Sequence, residues 1–183
     1  MALLQWNCRG LSSNRSDIDQ LVLQYNPVAI CLQETFVHRP VYPFRGYIDY
    51  HHYSDVDVQG RPHGGVSIMM SSKVPQHEIQ LNTTLKAVAV RITVHKPITV
   101  CSIYISPRGS FAIGELDHLI TQLPTPFVIL GDFNAHNTIW GGDTTDSRGR
   151  SIEDFLANNN LCIWNDERPT YNIYIQVPGP KLL

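Results

Sequence analysis

Much is missing from this 183-residue sequence, and each gap narrows what it can be. No apolar run reaches the roughly 18 residues that a membrane-spanning helix needs. The N-terminus, Met-Ala-Leu-Leu-Gln-Trp-Asn, has no basic stretch leading into a long apolar core, so no secretory signal is expected. Positive charge is also scarce: fourteen Lys and Arg stand against sixteen Asp and Glu, a formal net charge of −2. That excludes a protein holding nucleic acid mainly by bulk charge, and leaves open an enzyme that grips a few phosphates at one site. The four cysteines, Cys8, Cys31, Cys101 and Cys162, are too far apart for a CxxC metal knuckle. Each lies in or beside an apolar segment, which predicts small buried hydrophobes in a reducing compartment rather than a disulfide framework. Repeats, low-complexity tracts and an inter-domain linker are absent too. What remains, 43% hydrophobic and 16% charged, has the composition and length of one globular domain with a sizeable core.

The patterns along the chain predict mixed α/β structure. Leu3 to Asn7 is a short apolar run, and Arg9-Gly10 turns the chain. Ile18, Leu21, Val22 and Tyr25 fall at helical spacing over residues 16–25, with Ser16 or Asp17 as N-cap and Asn26-Pro27 as the stop. Val28 to Leu32 reads as a buried strand, so the opening is strand–helix–strand. Val66 to Met70 follows Gly64-Gly65 as another strand. Val88, Val90, Ile92 and Val94 alternate on one face, and Ile98 to Ile105 follows a short turn, which predicts an antiparallel hairpin. A helix is expected over about residues 111–123, a buried strand from Phe127 to Leu130, and a last helix over about residues 150–158. The segment after Tyr171, with Gly179 between two prolines, is expected to form no regular structure and to add little to a core.

The chemistry-bearing residues gather at strand ends. Ile129-Leu130-Gly131-Asp132-Phe133-Asn134-Ala135-His136 delivers a carboxylate, an amide and an imidazole just past an apolar strand, where ligands collect in open α/β sheets. A carboxylate there can take a proton from water, and an amide two residues on can orient that water; a capped tight turn has the same spelling. Cys31-Leu32-Gln33-Glu34-Thr35 ends a second buried strand in a carboxylate, either a solvated edge charge or a ligand for magnesium. Asn7 ends a third strand and Tyr104 a fourth, each readable as a turn residue or a core tyrosine. Taken singly these signals are weak. Together, four strand ends carrying Asn, Glu, Tyr and Asp-x-Asn in that order form a specific constellation.

The ordered motifs QWNCRG, LQET, IYISP and LGDFNAHNTIWG resemble the endonuclease/exonuclease/phosphatase superfamily. Within it they look like the apurinic-type endonuclease domain of jockey-like non-LTR retrotransposons, where the GDFNAHNTIWG loop, Ser147-Arg148-Gly149-Arg150, Phe155-Leu156 and Asn160-Leu161 match further. The resemblance covers residues 3–171, and gives an incomplete domain at residues 1–171 and a tail at 172–183 outside it. It implies a four-layer α/β sandwich of two mixed sheets flanked by helices. It further implies that Glu34 binds a catalytic Mg2+ (or Mn2+) with Asn7 beside it, and that Asp132 orients and deprotonates the attacking water. Asn134 would position water or a phosphate oxygen, Tyr104 would donate to the phosphate, and Arg9, His136 and Thr170 would face the substrate. The implied partner is DNA, nicked to leave a 3′ hydroxyl that primes a reverse transcriptase. The implied location is intracellular, and nuclear when acting on DNA.

One part of the pattern is absent. The family closes on a Ser-Asp-His motif, and no Ser-Asp-His occurs in this sequence. The chain therefore looks like a copy lacking that motif and the last strands of one sheet. Nicking is expected to be weak or lost, and an uncovered sheet edge is expected to favour self-association. An inactive fragment or domesticated nucleic-acid-binding module is the alternative, and a phosphodiesterase acting on small phosphoesters or RNA a third reading.

Overall fold

The computed structural model describes residues 2–108 and 111–164, and the backbone of 173–176. Thr170 lies outside the described residues. Strand β1 (Ala2–Asn7) leads through helix α1 (Arg15–Tyr25) to β2 (Ala29–Gln33), which runs parallel to it, Leu3 opposite Ala29 and Asn7 opposite Gln33. Helix α1 starts at Arg15, one residue before the expected Ser16. Asn14, which precedes it, turns its side-chain amide to the carbonyls of Cys8 (2.7 Å) and Gly10 (3.0 Å), so the β1–α1 turn fixes the start. It ends at Asn26, in the left-handed region at φ 42°, ahead of Pro27.

The further elements among the described residues are β3 (Tyr47–His52), β4 (Asp55–Val56), β5 (Pro62–His63), β6 (Val66–Ser71), β7 (Gln76–Ile79), β8 (Lys86–Thr93), β9 (Pro97–Tyr104), α2 (Ile113–Thr121), β10 (Phe127–Asp132), α3 (Ser147–Asn158) and β11 (Ile173–Gln176), with a 3-10 turn at Thr138–Trp140. They build a five-stranded sheet in the order β11-β1-β2-β6-β3 and a four-stranded sheet in the order β10-β9-β8-β7. The expected β8–β9 hairpin forms, with Thr93 opposite Pro97. Because successive strand residues point to opposite faces, each sheet buries both. Leu4, Ile30, Leu32 and Met69 pack under α1 with Ile18 and Phe44. Leu3, Cys31, Ile68, Val90, Val100 and Leu130 fill the space between the sheets. Ala89, Cys101 and Ile103 face the layer holding Leu116 and Leu119 of α2 and Phe155 of α3. The result is helix, sheet, sheet, helix: the four-layer α/β sandwich that the motifs imply.

A polar link crosses the apolar layer between the sheets. Gln33, with no exposed surface, accepts from the Gln5 side-chain amide at 2.5 Å and donates to the Ser102 hydroxyl at 2.9 Å. This ties β1, β2 and β9 together one residue below Glu34 and two below Tyr104, and it fixes how far apart the two sheets stand at that end.

Three expectations need correction. Cys8, Cys31 and Cys101 are buried, but Cys162 is exposed beyond the end of α3. Helix α3 starts at Ser147 rather than near residue 150, because Asp146 caps it by accepting from the Gly149 N–H at 2.6 Å. Residues 173–176, expected to be irregular, form β11 antiparallel to β1, Ala2 opposite Gln176; the edge of β1 offers unpaired main-chain groups that an Ile-Tyr-Ile-Gln segment readily meets. The polar stretch from His51 to Arg61 holds the end of β3 and half of the β4–β5 hairpin.

The outer edge of the first sheet carries an electrostatic strain. Asp49 on β3 is half-buried, and its Oδ1 is sealed from solvent without a hydrogen-bond partner. Burial pushes its carboxyl up to about 6 from the ordinary 3.8, with the Arg15 charge only partly opposing. The folded state thus holds this proton more tightly than the unfolded chain, and stability falls as pH rises from about 4 to about 6. Asp49→Asn is expected to stabilise the protein by about 1–2 kcal/mol at pH 7, after allowing for solvent screening, and by nothing below pH 4. Urea unfolding at the two pH values checks it.

Candidate active site

Four strands end at the same end of the sandwich, and their last residues meet there. Parallel pairing sets Asn7 of β1 opposite Gln33 of β2, with Glu34 next along the chain. In the second sheet, parallel pairing sets Asp132 of β10 opposite Tyr104 of β9. The Asn7 side-chain amide closes the gap between the sheets. Its Nδ2 donates to Glu34 Oε1 at 2.9 Å and to Asp132 Oδ2 at 2.7 Å, joining carboxylates from the two halves of the molecule. One amide can bridge both only if the carboxylates lie within a few ångströms of each other.

The backbone here is shaped for the purpose. Glu34 (φ 49°), Phe36 (φ 56°) and Arg9 (φ 44°) occupy the left-handed region, as does Gly10 between the two loops. The Gly10 N–H donates to the Glu34 carbonyl at 2.7 Å, so the turns after β1 and β2 are held together. Gly131 precedes Asp132 because a Cβ there would sit 2.1 Å from the Ile103 carbonyl oxygen. Tyr104 is buried, and burial pushes its hydroxyl up to about 12. The Glu34 carboxylate to which it hydrogen-bonds and the Asp132 charge add to this, and the Ser106 hydroxyl opposes it. The phenol therefore stays a proton donor across the neutral range.

Asn134 belongs to the same loop but faces differently. Its backbone N–H donates to Asp132 Oδ1 at 3.0 Å, and its side-chain amide donates to the Ile105 carbonyl at 3.0 Å, so it orients the Asp132 carboxylate and ties its loop to the one after Tyr104. Arg9 is exposed on the turn after β1. His136 is exposed, with its ring Nδ1 3.1 Å from Asp146 Oδ2, so it is fastened to the start of α3. Asn7, Glu34, Tyr104, Asp132 and Asn134 thus converge. Arg9 and His136 stand exposed on adjoining loops, His136 held to Asp146 at the start of α3.

Several participants escape sequence reasoning. Gln33 braces the cleft from below; its only sequence signal is a polar residue inside a fully buried strand. Lys86, in register with Tyr104, lies across Gly64 and pairs with Asp55 of the β4–β5 hairpin, whose His63 Nε2 is 3.8 Å from the same carboxylate. Arg148 reaches the loops after Tyr104 and Asp132 from α3.

The donor set suits a hard divalent cation. Glu34 and Asp132 supply carboxylate oxygens, and Asn7 Oδ1 is a buried oxygen with no hydrogen-bond partner, beside them. One or two carboxylates with an amide oxygen, completed by water and phosphate, is the oxygen-only environment magnesium takes. Among the described residues no group of three or more His, Cys, Asp or Glu side chains forms an alternative metal site.

Known proteins share this architecture. The endonuclease domain of TRAS1, a telomere-specific non-LTR retrotransposon, superposes with a TM-score of 0.73 at 21% identity, covering 90% of this chain and 75% of that one. An endonuclease/exonuclease/phosphatase family protein from Leptotrichia buccalis superposes at 0.61 with 14% identity, covering 86% and 74%. The chain has the endonuclease/exonuclease/phosphatase fold. A family model described as endonuclease-reverse transcriptase matches residues 98–176 of this fold, the stretch that holds Tyr104, Asp132 and Asn134. The RNA-directed DNA polymerase from mobile element jockey of Drosophila funebris is 25% identical over 182 residues, 97% of this chain and 20% of that protein. The endonuclease/exonuclease/phosphatase-fold chain therefore spans about a fifth of the length of the curated relatives it matches. Among the described residues no helix is long and apolar enough to cross a membrane.

Proposed function

We propose that the chain is the endonuclease module of a jockey-like non-LTR element, hydrolysing a DNA phosphodiester with the help of Mg2+ (or Mn2+), in the nucleus where its substrate lies. The observation that carries this reading is the Asn7 amide bridging Glu34 and Asp132, residues delivered by different sheets to one cleft. Glu34 and the Asn7 amide oxygen would hold the cation, which when bound acts as a Lewis acid on the phosphoryl oxygen. Asp132, oriented by the Asn134 N–H, takes the proton of the attacking water. The water oxygen bonds to phosphorus, the P–O3′ bond breaks, and the 3′ oxygen leaves, taking a proton from a solvent water to end as a hydroxyl. Tyr104, still protonated, donates to the phosphate oxygen on which negative charge grows. Arg9, His136 and Thr170 are proposed as contacts to the flanking DNA.

The assay is conversion of supercoiled plasmid to open circles. Expected is slow nicking that needs Mg2+, stops with chelator, and leaves ends a polymerase extends without treatment. Cleavage unaffected by chelator, or ends that cannot be extended, would contradict it. A second reading is favoured by one sequence fact, the lack of Ser-Asp-His in the 183 residues: a module that binds DNA without cutting it. Measurable duplex binding with no magnesium-dependent nicking supports that alternative. The outer edges of β10 and β3 pair with no other strand among the described residues, so self-association through a sheet edge is part of the proposal.

A further inference from the structure

Arg148 belongs to a motif that the proposed chemistry leaves unused, and its surroundings are unusual. From the first turn of α3 its Nη1 lies 3.1 Å from the Ser106 carbonyl, 3.4 Å from the Phe133 carbonyl and 3.3 Å from the Asn134 carbonyl. The guanidinium also stands over the Phe111 ring, 5.9 Å from its centre. Ser106 is two residues past Tyr104, and Phe133 and Asn134 directly follow Asp132. One cation therefore gathers carbonyls from the two loops that carry the phosphate donor and the water base.

Three carbonyl dipoles aimed at one point repel each other unless a cation sits among them, and burial away from solvent makes the orphaned oxygens costly. Asn134 adds to the need. It holds φ 47°, a conformation that must be maintained by its surroundings, and its N–H and side-chain amide set the Asp132 carboxylate and the Ile105 carbonyl. The Ile105 N–H in turn donates to the Asp132 carbonyl at 2.9 Å, so the loops share a short chain of hydrogen bonds that Arg148 closes from outside. Other hydrogen bonds tie the Asp132 loop to the start of α3: Asp146 takes the His136 N–H, and Asn137 donates to Glu153.

We propose that Arg148 is a positioning residue, whose planar guanidinium locks the loops after Tyr104 and Asp132 in one relative placement. A lysine cannot substitute, because a point charge on a flexible stem does not match several separated carbonyls. The purpose of the lock rests on the nuclease reading above; the lock itself needs neither metal nor DNA.

Amide hydrogen exchange on the wild-type chain, Arg148→Ala and Arg148→Lys tests it. In both variants the Ile105 and Asn134 amides are expected to exchange at least ~10-fold faster, while Val100 and Cys101 in the centre of β9 change much less. Guanidinium at low millimolar concentration is expected to restore part of the protection in Arg148→Ala. Nicking by the variants should fall in turnover with KM little changed, which a helix-packing role would not produce. Arg148→Gln serves where the alanine variant does not fold. Equal acceleration of loop and strand-centre amides, or variants that nick as fast as an active wild-type chain, would overturn the proposal. If the loops respond as expected but the wild-type chain cuts no DNA, the lock stands and the nuclease reading fails.

Discussion

Asp132→Ala is expected to lower magnesium-dependent plasmid nicking by about 100-fold or more while leaving the fold intact. The magnitude follows from losing a positioned general base, which ordinarily contributes about 10²–10⁴. Asp132 is also an acceptor for Asn7 Nδ2 and for the Asn134 N–H, so its removal loosens two more members of the cleft. It lies at the end of β10 and is only half-buried. The melting temperature should therefore move by a few degrees at most, and gel-based nicking beside thermal unfolding separates the effects. Equal activity in the variant would remove Asp132 from the reaction.

Supplying the absent motif should act in the opposite direction. The resemblance implies a Ser-Asp-His near the end of such domains, whose histidine and aspartate face the phosphate. In a chimera, the residues beyond Tyr171 would be replaced by the corresponding segment of a relative that carries the motif. It is expected to nick DNA about 10³-fold faster than the 183-residue chain, the scale of losing one member of a catalytic constellation. The gain should vanish when the introduced histidine is changed to alanine. A chimera no faster than the parent, yet folded, would mean that another group already serves. His136 is the nearest imidazole in sequence to Asp132, and its pairing with Asp146 holds it to α3.

The cleft was largely legible because it is built from strand ends, and strand ends are local. Short apolar runs stopping at Asn7, Glu34, Tyr104 and Asp132 mark the four positions, and the backbone pairing brings them together. Edge strands were not legible. Tyr-Ile-Asp-Tyr-His-His of β3 and Gln-His-Glu-Ile of β7 lack a clean alternation, and exist as strands because β6 and β8 offer them a partner. The first turn of α3 was hidden by Gly149, a poor helix former. The structure explains that glycine: a Cβ there would lie 1.9 Å from the His136 carbonyl oxygen. Gln33 and Arg148 act across the fold on partners 69 and 42 residues away, and no local pattern announces such contacts.

Paramagnetic broadening by Mn2+ in the amide spectrum of the 15N-labelled chain reaches the main claim most directly, since it reports distance from one bound ion. At substoichiometric Mn2+, the amides of Asn7, Glu34, Tyr104, Asp132 and Asn134 are predicted to broaden together, and Glu34→Gln should weaken the effect at all of them. Broadening confined to residues of a single sheet, or centred elsewhere on the molecule, would contradict a shared metal and phosphodiester site.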